Sequence, residues 1–248
     1  MHDFWGDAFY EHELQLAVAK RTLVGGRWAT DIEDASPDAK PEGVEHWLAL
    51  QDIRAAVELA NRLAALRPRG IQVVHGDQVD LHAGNRCAIA LGLGFNKLTR
   101  RFEDKFRGNL YSITFGESER RVPGLLTDNF SLPGCDAQDV RAGADKALVA
   151  RIVLPADAPV GYCAYFVCAG RTAAGTVAAG WFLANRWPKL LGLYEKNRFS
   201  LTRDSVAGIV WHAENGTASG SGTRDEPAWH DDEWHCAKER APGFDGSA

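Results

Sequence analysis

The chain has 248 residues, of which 45% are hydrophobic and 10% aromatic, and its formal net charge is −5. A chain of this size and composition can bury the core of one large domain, with or without appended segments. The acidic balance argues against a nucleic-acid-binding surface, because such surfaces carry an excess of lysine and arginine.

The cysteines and the apolar runs indicate the cellular compartment in which the protein is expected. Five cysteines stand at positions 87, 135, 163, 168 and 236, with no C-x-x-C spacing. The odd number and this spacing argue against a disulfide framework or a zinc ribbon. No apolar run reaches about 18 residues, and the first residues lack the basic and apolar regions of a signal peptide. We therefore expect no membrane span and a reducing, cytoplasmic location.

The first third of the chain predicts two helices separated by a linker. Apolar residues recur with helical spacing over residues 8–23, which predicts the first helix. Residues 25–45 are rich in glycine, proline and acids and predict a linker. A second, amphipathic helix is expected over residues 45–66, and Pro68 ends it.

The rest of the chain alternates short apolar stretches with helical patterns. Helices are expected over residues 97–106 and from about 177 to 194, where Pro188 is expected to interrupt the second helix and start a short new one. The long connection 116–147 is rich in glycine, proline and charge and is typical of a lid, a binding loop or a short hairpin. The predicted strands are 71–75, 87–92, 110–115, 147–154 and 162–168, with a last strand at either 199–202 or 206–211.

This alternation predicts an α/β fold: a mostly parallel, Rossmann-like sheet of five or six strands with helices on both faces. "Rossmann-like" describes the architecture only. We divide the chain into an N-terminal helix and acidic linker (1–45), an α/β ligand-binding domain (46–214) and a flexible polar tail (215–248), which begins with a run of Gly, Ser and Thr.

Two units of strand, glycine turn and helix stand out. One turn is Gly92-Leu93-Gly94-Phe95-Asn96, and the other is Gly170 to Thr176. Neither matches a P-loop or the G-x-G-x-x-G fingerprint of dinucleotide sites. A helix that begins directly after such a turn offers free N–H groups and the positive end of its dipole to an anion.

These turns predict a site for a small anionic or nucleotide-like ligand at the carboxyl ends of the strands. Asp77, after the strand 71–75, is expected to contact a ribose hydroxyl. The sequence shows no catalytic pair and identifies no cofactor, which favours a sensor or signalling module that acts on a partner domain or on a second copy of the chain. The predicted ligand-binding residues are Gly92, Gly94, Asn96, Gly170, Arg171, Thr172, Gly175, Thr176 and Asp77.

Several alternatives stay open. The glycines can simply permit close packing of helix on sheet, and Asn96 can cap the following helix. The same pocket can belong to an enzyme that cleaves a nucleotide or glycosidic bond, with Asp77 or Asp80 as the acid. The segment His75 to His82 and the tail His230 to Cys236 contain metal-ligand residue types, and the first would make a metal-dependent hydrolase. Cys168 can be a small buried residue or a nucleophile near a helix N-terminus.

Overall fold

A computed structural model describes most of the elements in the chain. It covers residues 2–24, 27–29, 45–48, 50–66, 69–79, 87–93, 96–106, 112–117, 126–131, 144–154, 163–170, 173–196, 198, 205–212 and 236–239. No helix within these ranges is both long enough and apolar enough to cross a membrane.

The described chain contains five α-helices and twelve strands. The helices are α1 (His2–Trp5), α2 (Asp7–Glu11), α3 (Leu50–Leu63, extended by a 3-10 turn at Ala64–Leu66), α4 (Lys97–Phe106) and α5 (Ala173–Lys196). The strands are β1 (Leu14–Val18), β2 (Lys20–Val24), β3 (Arg27–Ala29), β4 (Glu45–Leu48), β5 (Ile71–His75), β6 (Cys87–Leu91), β7 (Ser112–Glu117), β8 (Leu126–Ser131), β9 (Ala144–Leu154), β10 (Cys163–Gly170), β11 (Ser205–His212) and β12 (Cys236–Glu239).

One mixed sheet contains seven of these strands, in the order β12-β11-β9-β10-β6-β1-β5. The pairs β5–β1, β1–β6 and β6–β10 are parallel, and β9 joins β10 in the antiparallel direction. These five strands confirm the expected α/β class with a mostly parallel sheet. Two antiparallel strands, β11 and β12, extend the sheet beyond β9. The remaining strands form a three-stranded sheet, β3-β2-β4, and the hairpin β7-β8.

The helix predicted over residues 8–23 is wrong. The chain there forms the end of α2, then β1, which lies between β6 and β5 in the main sheet, and β2 in the small sheet. Every residue of β1 is buried, including Gln15. A strand covered on both faces loses the polar–apolar alternation that marks most strands, so a short apolar run of this kind also fits a helical spacing.

Two further predictions are wrong in part, because β3 lies within the predicted linker 25–45 and β4 occupies the start of the predicted helix 45–66. Most other predicted elements agree with the structure. Helix α4 has the predicted bounds, and α3 occupies most of the predicted helix 45–66, with an ion pair between Arg62 Nε and Glu58 Oε1 at 3.3 Å. The end of the predicted tail contributes β12, and β1 lies between strands of the predicted central domain. The division of the chain into separately folding units at residues 45 and 214 stays a prediction.

An aromatic cluster anchors the N-terminal helices to β10 and α5. The ring of Phe4 lies 5.5 Å from that of Phe166 and 5.8 Å from that of Trp187, and Trp5 lies 5.0 Å from Phe166. Beneath them Arg151 of β9 is fully buried and donates from Nε to the carbonyl oxygen of Phe4 at 2.8 Å. A buried guanidinium needs such acceptors, because it cannot lose its charge. The bond therefore fixes the start of the chain to the sheet.

Helix α5 continues through Pro188, where the sequence analysis expected an interruption. Proline lacks the N–H that would bond to the carbonyl of Ala184, and its ring crowds that turn. The helix persists because its first half packs against α3 and β10 and its second half carries Trp187, Leu190 and Tyr194 into the core. Tertiary packing therefore outweighs a local cost of about 3 kcal/mol.

Replacing Pro188 with alanine is expected to stabilise the protein by about 1–3 kcal/mol, because the helix regains a hydrogen bond and loses a clash. Urea unfolding followed by circular dichroism measures the change. Gly192→Ala is the comparison, since a Cβ there meets nothing within 4 Å and should add about 0.5–1 kcal/mol. A loss of stability in Pro188→Ala would show that the fold needs the local bend.

Candidate functional site

The carboxyl ends of the parallel strands place the two glycine turns side by side. Strands β6 and β10 are hydrogen-bonded neighbours with Leu91 opposite Cys168. Just beyond them, the amide of Gly92 donates to the carbonyl of Cys168 at 3.0 Å. The turns predicted to form one site therefore follow adjacent strands at the same edge of the sheet, which we call the carboxyl edge.

Gly92 is fixed by its backbone conformation and by its hydrogen bonds. Its φ of 96° lies in the left-handed region that side chains other than glycine rarely adopt. Its carbonyl accepts a hydrogen bond from Thr99 Oγ1 at 2.8 Å, and its amide is bonded to Cys168. The first amide expected to bind an anion is thus already bonded to the neighbouring strand.

Asn96 ties together the ends of two strands and the start of α4. It is fully buried, and its Nδ2 donates to the carbonyls of Ala17 and Leu91, each at 2.7 Å. Its Oδ1 accepts from the amide of Leu98 at 3.0 Å, which is the N-cap interaction considered from the sequence. Both amide hydrogens of the side chain therefore bond to backbone.

This carboxamide lies where the strand order changes direction. Along the chain, β1 is followed in the main sheet by β5 on one side and then by β6 on the other. In open α/β sheets, ligands bind in the crevice at such a switch point. Here Asn96 bridges β1 and β6 at that point, and a Cβ added to Gly76 would overlap its Oδ1. Protein atoms fill this part of the edge.

The turn after β10 brings the strand end directly against α5. A Cβ added to Gly170 would overlap the backbone of Gly175 and lie 2.6 Å from the nitrogen of Thr176. Close helix–sheet packing is therefore a sufficient reason for glycine at position 170. Gly175 and Thr176 are buried in the first turns of α5. Arg171, Thr172 and Gly94 lie outside the described residues.

Asp77 and His75 lie farther along the same edge. Asp77 is exposed in the turn after β5, and β1 separates β5 from β6. With strands about 4.8 Å apart, β5 lies about 10 Å from β6. His75 has a buried Nδ1 with no hydrogen-bond partner in the described part of the chain. The structure thus brings the two turns together and leaves Asp77 two strands away from the nearer one.

Asp52 is a candidate site residue that the sequence analysis missed. It lies in the first turn of α3 and is only 5% exposed. A Cβ at Gly92 would lie 3.4 Å from its Oδ2, which places the carboxylate at the carboxyl edge. A signal was present, because Asp52 shares a helix face with Ala56, Leu59 and Leu63, all fully buried. An acid on an apolar stripe is unusual and often marks a site.

Cys168 is an unreactive buried thiol. It is fully buried at the end of β10, and burial raises its pKa well above the ordinary value for a cysteine. Desolvation disfavours the thiolate, which is the form that would act as a nucleophile. The packing interpretation of Cys168 is therefore favoured.

Metal binding gains no support from the described residues. Within the described ranges, no three potential His, Cys, Asp or Glu ligands come together. The predicted metal ligands are His75, Asp77, Asp80 and His82. Asp80 and His82 lie outside the described ranges, as does the tail from His230 to His235. The metal-dependent hydrolase stays a prediction.

Comparison with protein-family profiles, with curated proteins and with solved structures finds no match to this chain. Inference about function consequently rests on the geometry of the carboxyl edge.

Replacing Asn96 with alanine is expected to cost about 2–4 kcal/mol of unfolding free energy, because α4 loses its cap and two carbonyls lose a donor. Asn96→Asp should be at least as destabilising, since it keeps the cap but points a carboxylate at two carbonyls. Urea unfolding measures both. Asn185→Ala is the control: among the described residues, its Nδ2 bonds to Trp181 of its own helix, at 2.9 Å. Equal costs at positions 96 and 185 would contradict the bridging role.

Proposed function

We propose that this chain is a sensor module that binds a small nucleotide- or phosphate-containing ligand at the carboxyl edge of its sheet. The observation that carries the proposal is that three helices begin at this edge. Helix α3 begins beside Gly92, α4 begins at Asn96, and α5 begins against Gly170. Each helix N-terminus carries about half a positive charge, so their convergence favours an anion.

The start of α5 is the preferred position for the phosphate. Asn96 uses its side-chain amide and Gly92 its backbone amide within the protein, so the turn after β6 offers fewer donors than the sequence predicted. The turn after β10 leads into a helix of 24 residues, the longest described. Arg171, Thr172 and Thr176 then supply the side-chain contacts, with Arg171 as the cationic clamp.

The proposal takes the architecture to be Rossmann-like, with helices on both faces of the sheet. Supporting contacts come from two consecutive residues of β10. Tyr165 has its ring 5.7 Å from that of Phe102 in α4, whereas Phe166 meets Phe4 at 5.5 Å. Consecutive strand residues point to opposite faces, which supports an arrangement with α4 and the N-terminal helices on different sides of the sheet.

A sensor explains the absence of a catalytic pair in the sequence better than an enzyme does. Ligand binding at the start of α5 would be passed on to a partner domain or to another copy. This role belongs to a cytoplasmic protein, as the cysteine usage predicts.

Thermal unfolding with inorganic phosphate, nucleoside mono-, di- and triphosphates and a dinucleotide tests the proposal. A probe at about a hundredfold its Kd should stabilise the native state by about 2.7 kcal/mol, which raises the Tm by several degrees. Arg171→Gln and Thr176→Val should lose most of that increase, because they remove the clamp and a hydroxyl donor. Both variants should still fold.

Arg186→Gln is the matched control, because it removes the same charge from the exposed middle of α5. Its probe-induced increase in Tm should equal that of the unchanged protein. The proposal is wrong if no probe raises the Tm, or if the variants at positions 171 and 186 respond alike.

Cleavage of a nucleotide or N-glycosidic bond is the second candidate, and Asp52 favours it. A buried carboxylate beside the ligand edge is the residue type that acts as an acid or stabilises a cation-like transition state in glycosidic cleavage. Asp77, the acid suggested by the sequence, is exposed and lies two strands away from β6. Asp52 is therefore the better-placed acid at this edge.

Incubation with nucleotides and a dinucleotide, followed by chromatography of the products, tests this activity. If it exists, Asp52→Asn should lower the rate by about a hundredfold or more, since general acid–base groups contribute that much. Glu58→Gln, on the exposed side of the same helix, should leave the rate unchanged. Loss of activity in Asp77→Asn but not in Asp52→Asn would reverse the assignment, and no product from any nucleotide would favour the sensor.

A further inference from the structure

Among the described residues, β5 forms an open edge of the main sheet, and the centre of that edge is apolar. It is the last strand in the order of the described sheet, and β1 is its one described neighbour. Val73, at its midpoint, is 50% exposed, and Gln72 beside it is also exposed. Open strand edges with exposed apolar residues are surfaces to which another strand can add.

The backbone groups that face outward belong to alternate residues. Leu14 donates to the carbonyl of Gly70 at 3.1 Å, and the amide of Gly76 donates to Val18 at 3.2 Å. Because these even-numbered residues bond inward to β1, the odd-numbered residues Ile71, Val73 and His75 turn their N–H and C=O groups toward the open edge.

We propose that a second copy of this chain pairs with that edge, β5 against β5 in the antiparallel direction, with the twofold axis at Val73. In this register, Val73 meets Val73 as a hydrogen-bonded pair, and Ile71 meets His75 of the other copy. The outward groups of both strands then face each other, as an antiparallel ladder requires. The main sheet would continue across the dimer.

The charges at the two ends of β5 select this partner and this register. Arg69 and Asp77 are both exposed, and each stands four residues from Val73. Antiparallel pairing about Val73 therefore brings Arg69 of one copy opposite the turn that bears Asp77 of the other, twice per dimer. A parallel arrangement would set like charges together, which is unfavourable.

The ladder is short, and so the dimer is weak. The side chain of Gln78 accepts from the amide of His75 at 3.3 Å and occupies the outward donor at the end of the strand. An edge of five residues lies at the small end of specific interfaces, which is the range of transient complexes. Self-association is thus expected at micromolar concentrations or above.

Sedimentation velocity over a range of concentrations tests the proposal with a matched pair of variants. Val73→Lys should raise the dissociation constant of the dimer by about tenfold or more, because it places two charges at the axis. Val57→Lys is the control: Val57 is 51% exposed but lies on α3, away from the strand edge. It should leave dissociation unchanged. A protein that stays monomeric at hundreds of micromolar overturns the proposal.

Charge reversal at Arg69 and Asp77 tests the register of the two β5 strands without changing a residue of β5 itself. Arg69→Asp and Asp77→Arg should each weaken the dimer severalfold, since each creates like-charge pairs across the twofold axis. The double variant restores opposite charges and should recover most of the lost affinity. Within one chain these residues lie at opposite ends of β5, so recovery cannot come from an internal pair. A double variant as weak as the singles would refute this register.

Discussion

The carboxamide of Asn96 is the constraint on which the carboxyl edge depends. One side chain bonds to β1, to β6 and to the first turn of α4, so it fixes where two strands end and where a helix begins. Its position leaves no room for a side chain at Gly76 and closes the crevice at the change of strand order. The proposed position of the ligand is therefore one strand further along, where β10 leads into α5. The same bonds that stabilise the fold thus occupy the groups that the sequence analysis expected to bind a ligand.

The elements that the sequence predicted well are those whose pattern has a single interpretation. Helix α4 is strongly amphipathic and has a capping asparagine. Strands β6 and β10 are short apolar runs, of which the first is followed by a glycine and the second ends in one. Strand β1 could not be recognised in this way, because burial on both faces removes the alternation that distinguishes a strand from a helix. The prediction at Pro188 was wrong for a related reason. The packing of α5 outweighs the local tendency of proline to interrupt a helix, and only that tendency can be read from the sequence.

Sequence reasoning predicted which segments follow neighbouring strands. It did not predict which of their backbone and side-chain groups are already hydrogen-bonded within the protein. Parallel strands followed by glycine turns predict that the turns meet at one edge of the sheet. The hydrogen bond between Gly92 and Cys168 agrees with this prediction. Which amides remain available depends on register and on side chains distant in sequence, such as the bond from Asn96 to Ala17. Asp52 carried a readable signal, an acid on the apolar side of α3, but its closeness to Gly92 follows only from the packing of α3.

The strand order also has a consequence for how the chain is synthesised. Strand β6 sits between β1, which leaves the ribosome early, and β10, which follows only after the hairpin and β9 have been made. During that interval its wholly apolar residues lack one of their two neighbours. Pairing between strands that are distant in sequence slows folding, and it leaves apolar surface exposed to other nascent chains. The side of β6 that pairs with β10 therefore stays without its neighbour until β10 has left the ribosome.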